Sequence, residues 1–264
     1  MTPEPHAALT VGPDRARKTT VDRRGLDTIV PTILALHVGL PRTLGTSGAA
    51  DPMDRPWRTG SFKEPVEGPV WLGPSGHDGD GQADLEHHGG PDKAACVYPE
   101  ARYPVWRGRL GLDLPWAAFG ENWTVGGQDE GSVCVGDVYA VGGALVEVSQ
   151  PRSPCWKLAR RWRVKELALW VQETGYTGWY LRVLRPGAVA AGDDVLLRDR
   201  PHPEWTVVRA NAVRYDRSAA SEDVAALAAC PALGRSWRDR LRRTLTSGPE
   251  PSSSEAARTL GENR

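Results

Sequence analysis

Hydrophobic positions in this chain come in short blocks, separated by glycine, proline and charged residues. The block Thr32-Ile-Leu-Ala-Leu-His-Val38 is apolar enough for a buried strand. Residues 64–72 are also apolar but are cut by Pro65 and Pro69, which suits an edge strand and a turn. Residues 133–135, 138–141 and 144–148 read as short strands parted by Gly136-Asp137 and Gly142-Gly143 turns. Residues 179–184 and 194–197 return to a strand pattern, and 41–58 read as loop. Two stretches carry a helical period. One is 97–110, with Tyr103, Trp106 and Leu110 three and four apart; the other is 158–174, closed by Gly175. Short strands with frequent glycine turns between 33 and 213 predict a mainly β domain, a barrel or sandwich with a few helices.

The pattern changes near Tyr215. Ser221 offers an N-cap, and Glu222 and Asp223 fall in the first turn, where the helix dipole favours acids. Beyond Pro231, Leu233, Trp237, Leu241 and Leu245 repeat every four residues, with Arg235, Arg238, Arg240, Arg242 and Arg243 on the other faces. This predicts a small helical extension over 215–246. A unit that short seldom folds alone, so it packs on the main domain over 29–214, or docks a redox partner. The polar ends, 1–28 and 247–264, are expected to be disordered tails.

Composition narrows the function classes. The 264 residues carry 33 Lys and Arg against 33 Asp and Glu, a net charge of zero. A dedicated binder of nucleic acid or anionic membrane would be basic, so neither partner is expected. No apolar run is long enough for a transmembrane helix. Arg23-Arg24 before an apolar stretch imitates an export signal, but that stretch is short and contains Pro31. The expected compartment is the cytoplasm, where thiols stay reduced. The four cysteines, Cys96, Cys134, Cys155 and Cys230, include no Cys-x-x-Cys pair, which argues against a structural zinc knot.

Three constellations can carry chemistry. His77-Asp-Gly-Asp-Gly-Gln-Ala-Asp-Leu-Glu-His-His88 groups oxygen and imidazole donors, with His77, Asp80 and His88 as a metal-hydrolase reading. A solvated turn-rich loop explains the same residues. Directly after it, Gly89-Gly90 and Lys93 offer backbone N–H groups and a cation to an anion or phosphate. Gln150-Pro-Arg-Ser-Pro-Cys155-Trp-Lys157 places a cysteine on a proline-stiffened loop at a strand end. Arg152 and Lys157 flank it, and such cations favour thiolate. Cys155 is then a nucleophile or soft metal ligand, with a buried structural cysteine as the alternative. Cys96, Cys134 and Cys230 read as core. Phe119-Gly-Glu-Asn122 presents a carboxylate and an amide, or simply a turn.

In this order these segments resemble the MOSC family, specifically its small stand-alone bacterial branch with a C-terminal three-helix extension. The matching residues are Phe62-Lys-Glu-Pro-Val-Glu-Gly-Pro-Val70, Gly79-Asp-Gly-Gln-Ala-Asp84, His88-Gly-Gly-Pro-Asp-Lys93, Phe119-Gly-Glu-Asn122, Gly136-Asp137, Gln150-Pro-Arg-Ser-Pro-Cys-Trp-Lys-Leu158, Thr177-Gly-Trp-Tyr180 and Arg200-Pro-His-Pro-Glu-Trp205. The chain departs from the family's Tyr-Pro-x-Glu-His-Tyr segment, reading Tyr98-Pro-Glu-Ala-Arg-Tyr103. The resemblance implies a MOSC-type β-barrel that binds the molybdenum cofactor (molybdopterin), with Cys155 as thiolate ligand of molybdenum and catalytic residue. It implies Arg152, Lys93, Gly89 and Gly90 around the pterin phosphate, Ser153 as a further cofactor-binding residue, and Asn122, Asp80 and His88 as hydrogen-bonding groups. The implied activity is reduction of N-hydroxylated compounds, such as hydroxylamino-purines, to amines. A small N-hydroxylated substrate and an external electron-transfer protein are the expected partners, and a homodimer is left open. The alternative within the family is a sulfur or cofactor carrier using a Cys155 persulfide or thiolate.

Overall fold

In a computed structural model, residues 19–21, 27–249 and 252–261 are described. The expectations for residues 1–18 and for Arg23-Arg24 lie outside them. The core is one curled, mixed sheet of eight strands: β1 (Thr32–Val38), β2 (Glu64–Pro65), β3 (Ala95–Pro99), β4 (Trp123–Gly126), β5 (Val138–Val141), β6 (Ala144–Pro151), β7 (Trp179–Arg185) and β8 (Leu196–Asp199). They lie in the order β8-β5-β6-β7-β3-β4-β1-β2. Only the β3–β4 ladder in this sheet is parallel. Register shifts in the β4–β1, β5–β8 and β6–β7 ladders are bulges, which bend strands and tighten twist, so the sheet curls into a half-barrel. Ile33, Leu36, Val97, Trp123, Val146, Val148, Trp179 and Leu181 fill it.

The helix expected from residue 97 starts later. Ala95–Pro99 is a central strand, buried at every position, and helix α1 spans Tyr103–Leu110. The helical period of Tyr103, Trp106 and Leu110 belongs to α1 alone. Residues 133–135 form no strand: Cys134 makes only an isolated bridge to Thr206. The buried Asp137 carboxylate accepts from the Cys134 N–H (2.9 Å) and the Tyr139 hydroxyl (2.8 Å), folding this segment into a turn. The single helix expected over 158–174 is two, α2 (Trp156–Trp162) and α3 (Leu167–Thr174). Arg163, at φ +55°, takes the left-handed conformation that ends α2. Together with Tyr98, Tyr103, Trp106 and Phe119, these helices enclose a second core.

The helical extension holds α4 (Val207–Tyr215), α5 (Ser221–Ala229) and α6 (Arg235–Ser247). Trp205, Val213, Leu227, Leu233, Trp237 and Leu241 pack there with Val135 of the sheet domain. Helix α4 falls inside the stretch expected to be strand-rich. It is started by Thr206, whose hydroxyl accepts from the Arg209 N–H. Ser221 is the first residue of α5 rather than its cap. Both expected tails contain structure. Thr19–Val21 pairs with Asp27–Ile29, and Ser252–Thr259 forms a helix, α7, held by polar bonds to the sheet domain rather than by an apolar stripe. Among the described residues no helix is long and apolar enough to cross a membrane.

Candidate functional site

The loop 152–155 leaves β6 at Pro151 and enters α2, with Cys155 as the helix N-cap in an extended conformation. Pro151 and Pro154 stiffen it, and three different elements anchor it. The Arg152 N–H donates to the Gly178 carbonyl (3.1 Å). The Tyr215 hydroxyl of α4 donates to Ser153 Oγ (3.2 Å). Arg258 Nη1 of α7 donates to the Pro154 carbonyl (2.9 Å). Gly178 is needed where it stands: φ is +66°, and a Cβ there would lie 2.2 Å from the Val97 carbonyl oxygen.

Burial alone would raise the Cys155 thiol. The charge and hydrogen bond of His88, the Lys157 backbone N–H and the Arg152 guanidinium outweigh it and bring the pKa down to about 6. Cys155 is therefore largely thiolate at neutral pH. The other three cysteines are buried, and all four are free. Burial pushes the Cys96 thiol up to about 11.

The thiol opens on a cleft lined by Cys155, Arg152, His88, Lys93, Asn122 and Tyr180, among others. Arg152 is 8% exposed. It is hydrogen-bonded to the Tyr180 hydroxyl, while its Nη1 is buried with no partner. Lys93 Nζ donates to the His87 carbonyl (2.7 Å), which holds its ammonium at the rim. Ser153 lines an adjoining, wider groove that shares His88, Lys93, Cys155, Lys157 and Tyr180 with the cleft.

Other residues named from sequence are placed differently. Gly89 and Gly90 line neither space; they lead into the turn at Pro91–Lys93. Asp80 is buried behind the cleft. Its carboxylate accepts from the Gly39 N–H (2.9 Å) and Asn122 Nδ2 (2.9 Å) and forms an ion pair with Lys63. Asn122 spends the rest of its amide on the Cys96 N–H (3.0 Å) and the His37 carbonyl (3.2 Å). Asp80 and Asn122 thus brace the cleft floor, and Asn122 also lines the cleft. Glu121, from the same segment, accepts from the Tyr103 hydroxyl, the Ala117 N–H and Thr124 Oγ1 inside the second core.

The metal-hydrolase reading of His77, Asp80 and His88 is not supported. His77 Nε2 accepts from Trp123 Nε1 (2.8 Å), and burial drives its pKa down to about 4, helped by Lys63 and opposed by Asp80. Asp80 is committed to Lys63, and among the described residues no three such donors converge. Arg102, at the departure from the family segment, donates to Glu130 (2.8 Å) and Asp129 (3.2 Å) and stacks over Tyr176. Sequence reasoning missed Lys63 and Tyr180, although both lie in the matched segments. A lysine in a proline-broken apolar stretch was the available signal for the first; nothing local marks the second.

Comparison with known proteins gives concordant matches. The MOSC domain model matches residues 84–196, and a model described as YiiM-like, 3-alpha helix domain matches 205–248. YflK of Bacillus subtilis (strain 168) is 44% identical over 207 residues, covering 78% of this chain and 91% of that protein. The crystal structure of YiiM from Geobacillus stearothermophilus superposes with a TM-score of 0.68 at 34% identity, covering 81% of this chain and 99% of that one. A protein of Gibberella moniliformis (strain M3125 / FGSC 7600) named Reductase is 35% identical over 156 residues, which is 58% of this chain but 28% of that protein.

Proposed function

The chain belongs to the MOSC domain family and carries its YiiM-like helical domain; from that premise we propose that it is a molybdenum-cofactor-dependent reductase of N-hydroxylated compounds. The observation that carries the proposal is the Cys155 thiol, brought to about 6, beside a buried Arg152 whose Nη1 has no partner. A soft thiolate and an unspent guanidinium in one cleft fit a group with a soft metal at one end and a phosphate at the other. MOSC domains are associated with this cofactor, and the match to a protein named Reductase supports the reaction type.

Cys155 is the protein ligand, and Arg152 and Lys93 hold the phosphate. Asn122 and Asp80 keep the floor rigid beneath them. When bound, the cofactor supplies the two-electron redox chemistry. The overall change is R–NHOH plus two electrons and two protons giving R–NH2 and water. His88 lines both the cleft and the outer groove, and we assign its imidazole the delivery of one of those protons. The electrons come from a separate protein.

The test is metal analysis and turnover of a hydroxylamino-purine, using protein purified from a host that makes the cofactor. Wild type is expected to contain molybdenum and to form the amine, and Cys155→Ala to lose both. A variant that retains full molybdenum and full turnover overturns the proposal. A persulfide on Cys155 in molybdenum-free protein would favour a sulfur carrier instead.

A further inference from the structure

Outside Cys155 the cleft widens into a groove, walled by the sheet domain on one side and by α4, α6 and α7 on the other. Its lining holds seven arginines and lysines against two carboxylates, Asp84 and Glu86. The chain as a whole is neutral, so this is a local concentration of positive charge in a concave wall, where field lines focus. Four of the cations come from the helices: Arg214, Arg240, Arg243 and Arg258. Arg240 and Arg243 are three residues apart on α6 and share a face. Arg243 has no ion-pair partner among the described residues. The indole N–H of Trp237, which also lines the groove, is buried without a partner. Trp156 follows Cys155 in the chain, Trp57 packs against Trp156 with ring centroids 6.1 Å apart, and Tyr180 lines both cleft and groove, whereas Arg240 and Arg243 line the groove alone. Flat aromatic groups near Cys155 and arginine forks farther out match a ligand with a planar base and a phosphate.

We infer that the substrate is an N-hydroxylated nucleotide rather than a free base, its phosphate held by Arg240 and Arg243 as specificity-determining residues. The reacting end of this inference rests on the reductase reading; the phosphate end is tested independently of it. The groove is concave and continuous with the cleft, which favours a small anion over an acidic protein surface.

The experiment is calorimetric titration of the cofactor-loaded protein with adenosine monophosphate and with adenosine. It is paired with kcat/KM for N-hydroxyadenosine monophosphate and N-hydroxyadenosine. The monophosphate is expected to bind at least about tenfold more tightly, since charge-assisted contacts are the strong ones. That ratio should collapse toward one in Arg240→Glu/Arg243→Glu. The milder Arg243→Ala, at an exposed position, should lower it in the same direction. Equal affinity for both ligands overturns the inference. So does loss of molybdenum from the variants, which would give these arginines to the cofactor's own phosphate. So does an intact ratio combined with slower turnover only when a protein electron donor is used, which would make the groove a docking surface. If neither N-hydroxylated compound reacts while the tenfold preference and its loss in the variants persist, the reductase reading fails and the phosphate groove stands.

Discussion

Arg258 Nη1 donates a hydrogen bond of 2.9 Å to the carbonyl oxygen of Pro154, the residue before Cys155. The same guanidinium bonds Gln172 Oε1 of α3, and Gln172 Nε2 bonds Glu255 of α7. Gly261, just past α7, lies so close to the Trp156 ring that a Cβ there would come within 2.3 Å of it. The C-terminal helix therefore fixes the loop that presents the thiol, although its own sequence has little to bury: only Thr259 in α7 is buried.

Removing that clamp tests the relationship. Arg258→Ala is expected to cost about 1.5–3 kcal/mol, the range for hydrogen bonds to a charged group, and to lower Tm by about 2–4 °C per kcal/mol lost. A purely structural cost would stop there. A role in positioning also predicts faster alkylation of Cys155 in the folded protein. An unchanged alkylation rate alongside the lowered Tm would separate α7 from the thiol loop.

Cys155 should alkylate selectively in cofactor-free protein. The thiolate is the reactive form and predominates above its pKa of about 6, while Cys96 stays protonated up to about 11. Labelling with iodoacetamide, followed by peptide mass spectrometry, should mark Cys155 first at pH 7 and slow as the pH falls through 6. His88→Ala removes the largest favourable influence, so its labelling midpoint should move upward. A midpoint unmoved in that variant would mean that His88 does not govern the thiol.

What could be read from the sequence follows from where the determining contacts lie. Thr32–Val38 and the Pro-Arg-Ser-Pro-Cys loop are legible because their signals are local: an apolar run, two prolines and flanking cations. The bracing bonds of Asp80 and Asn122 are not legible locally, because a polar residue in a loop looks available. Their partners lie far along the chain, 17 residues from Asp80 to Lys63 and 42 from Asp80 to Asn122. Helix α7 was illegible for a related reason. Ser-Ser-Ser-Glu-Ala-Ala-Arg-Thr has no apolar stripe, and its anchors are Gln172 and Pro154, about 80 to 100 residues earlier in the chain. The strand at Ala95–Pro99 was lost to a true helical period that begins only at Tyr103.

Acid should destabilise the fold through His77. Burial keeps it neutral in the folded state until about pH 4, with its Nε2 accepting from Trp123, whereas the unfolded chain takes up the proton near 6.5. Protonation therefore favours the unfolded state. The contribution is complete above pH 6.5 and is lost as the pH falls toward 4, amounting to about 3 kcal/mol at most. His37, also lowered by burial, acts in the same direction. Denaturant midpoints measured from pH 7 to 4.5 should fall. The fall should be shallower in His77→Gln, which keeps an acceptor for Trp123 but does not titrate. An identical slope in that variant would remove His77 from the account.

The ion pair between Lys63 and Asp80 gives the sharpest separation of bracing from binding. Their side chains are 5% and 1% exposed, and breaking a pair at that depth strands a charge. Asp80→Asn is expected to cost about 3–5 kcal/mol, whereas replacing both partners, as in Lys63→Met/Asp80→Asn, should recover most of it. If Asp80 only braces the cleft floor, the stable double variant keeps its molybdenum when purified from a cofactor-competent host. A double variant with recovered stability but no molybdenum would return the pair to the set of groups that contact the cofactor. The two measurements, denaturant midpoint and metal content, respond to different causes, so a deficit in one cannot be mistaken for a deficit in the other.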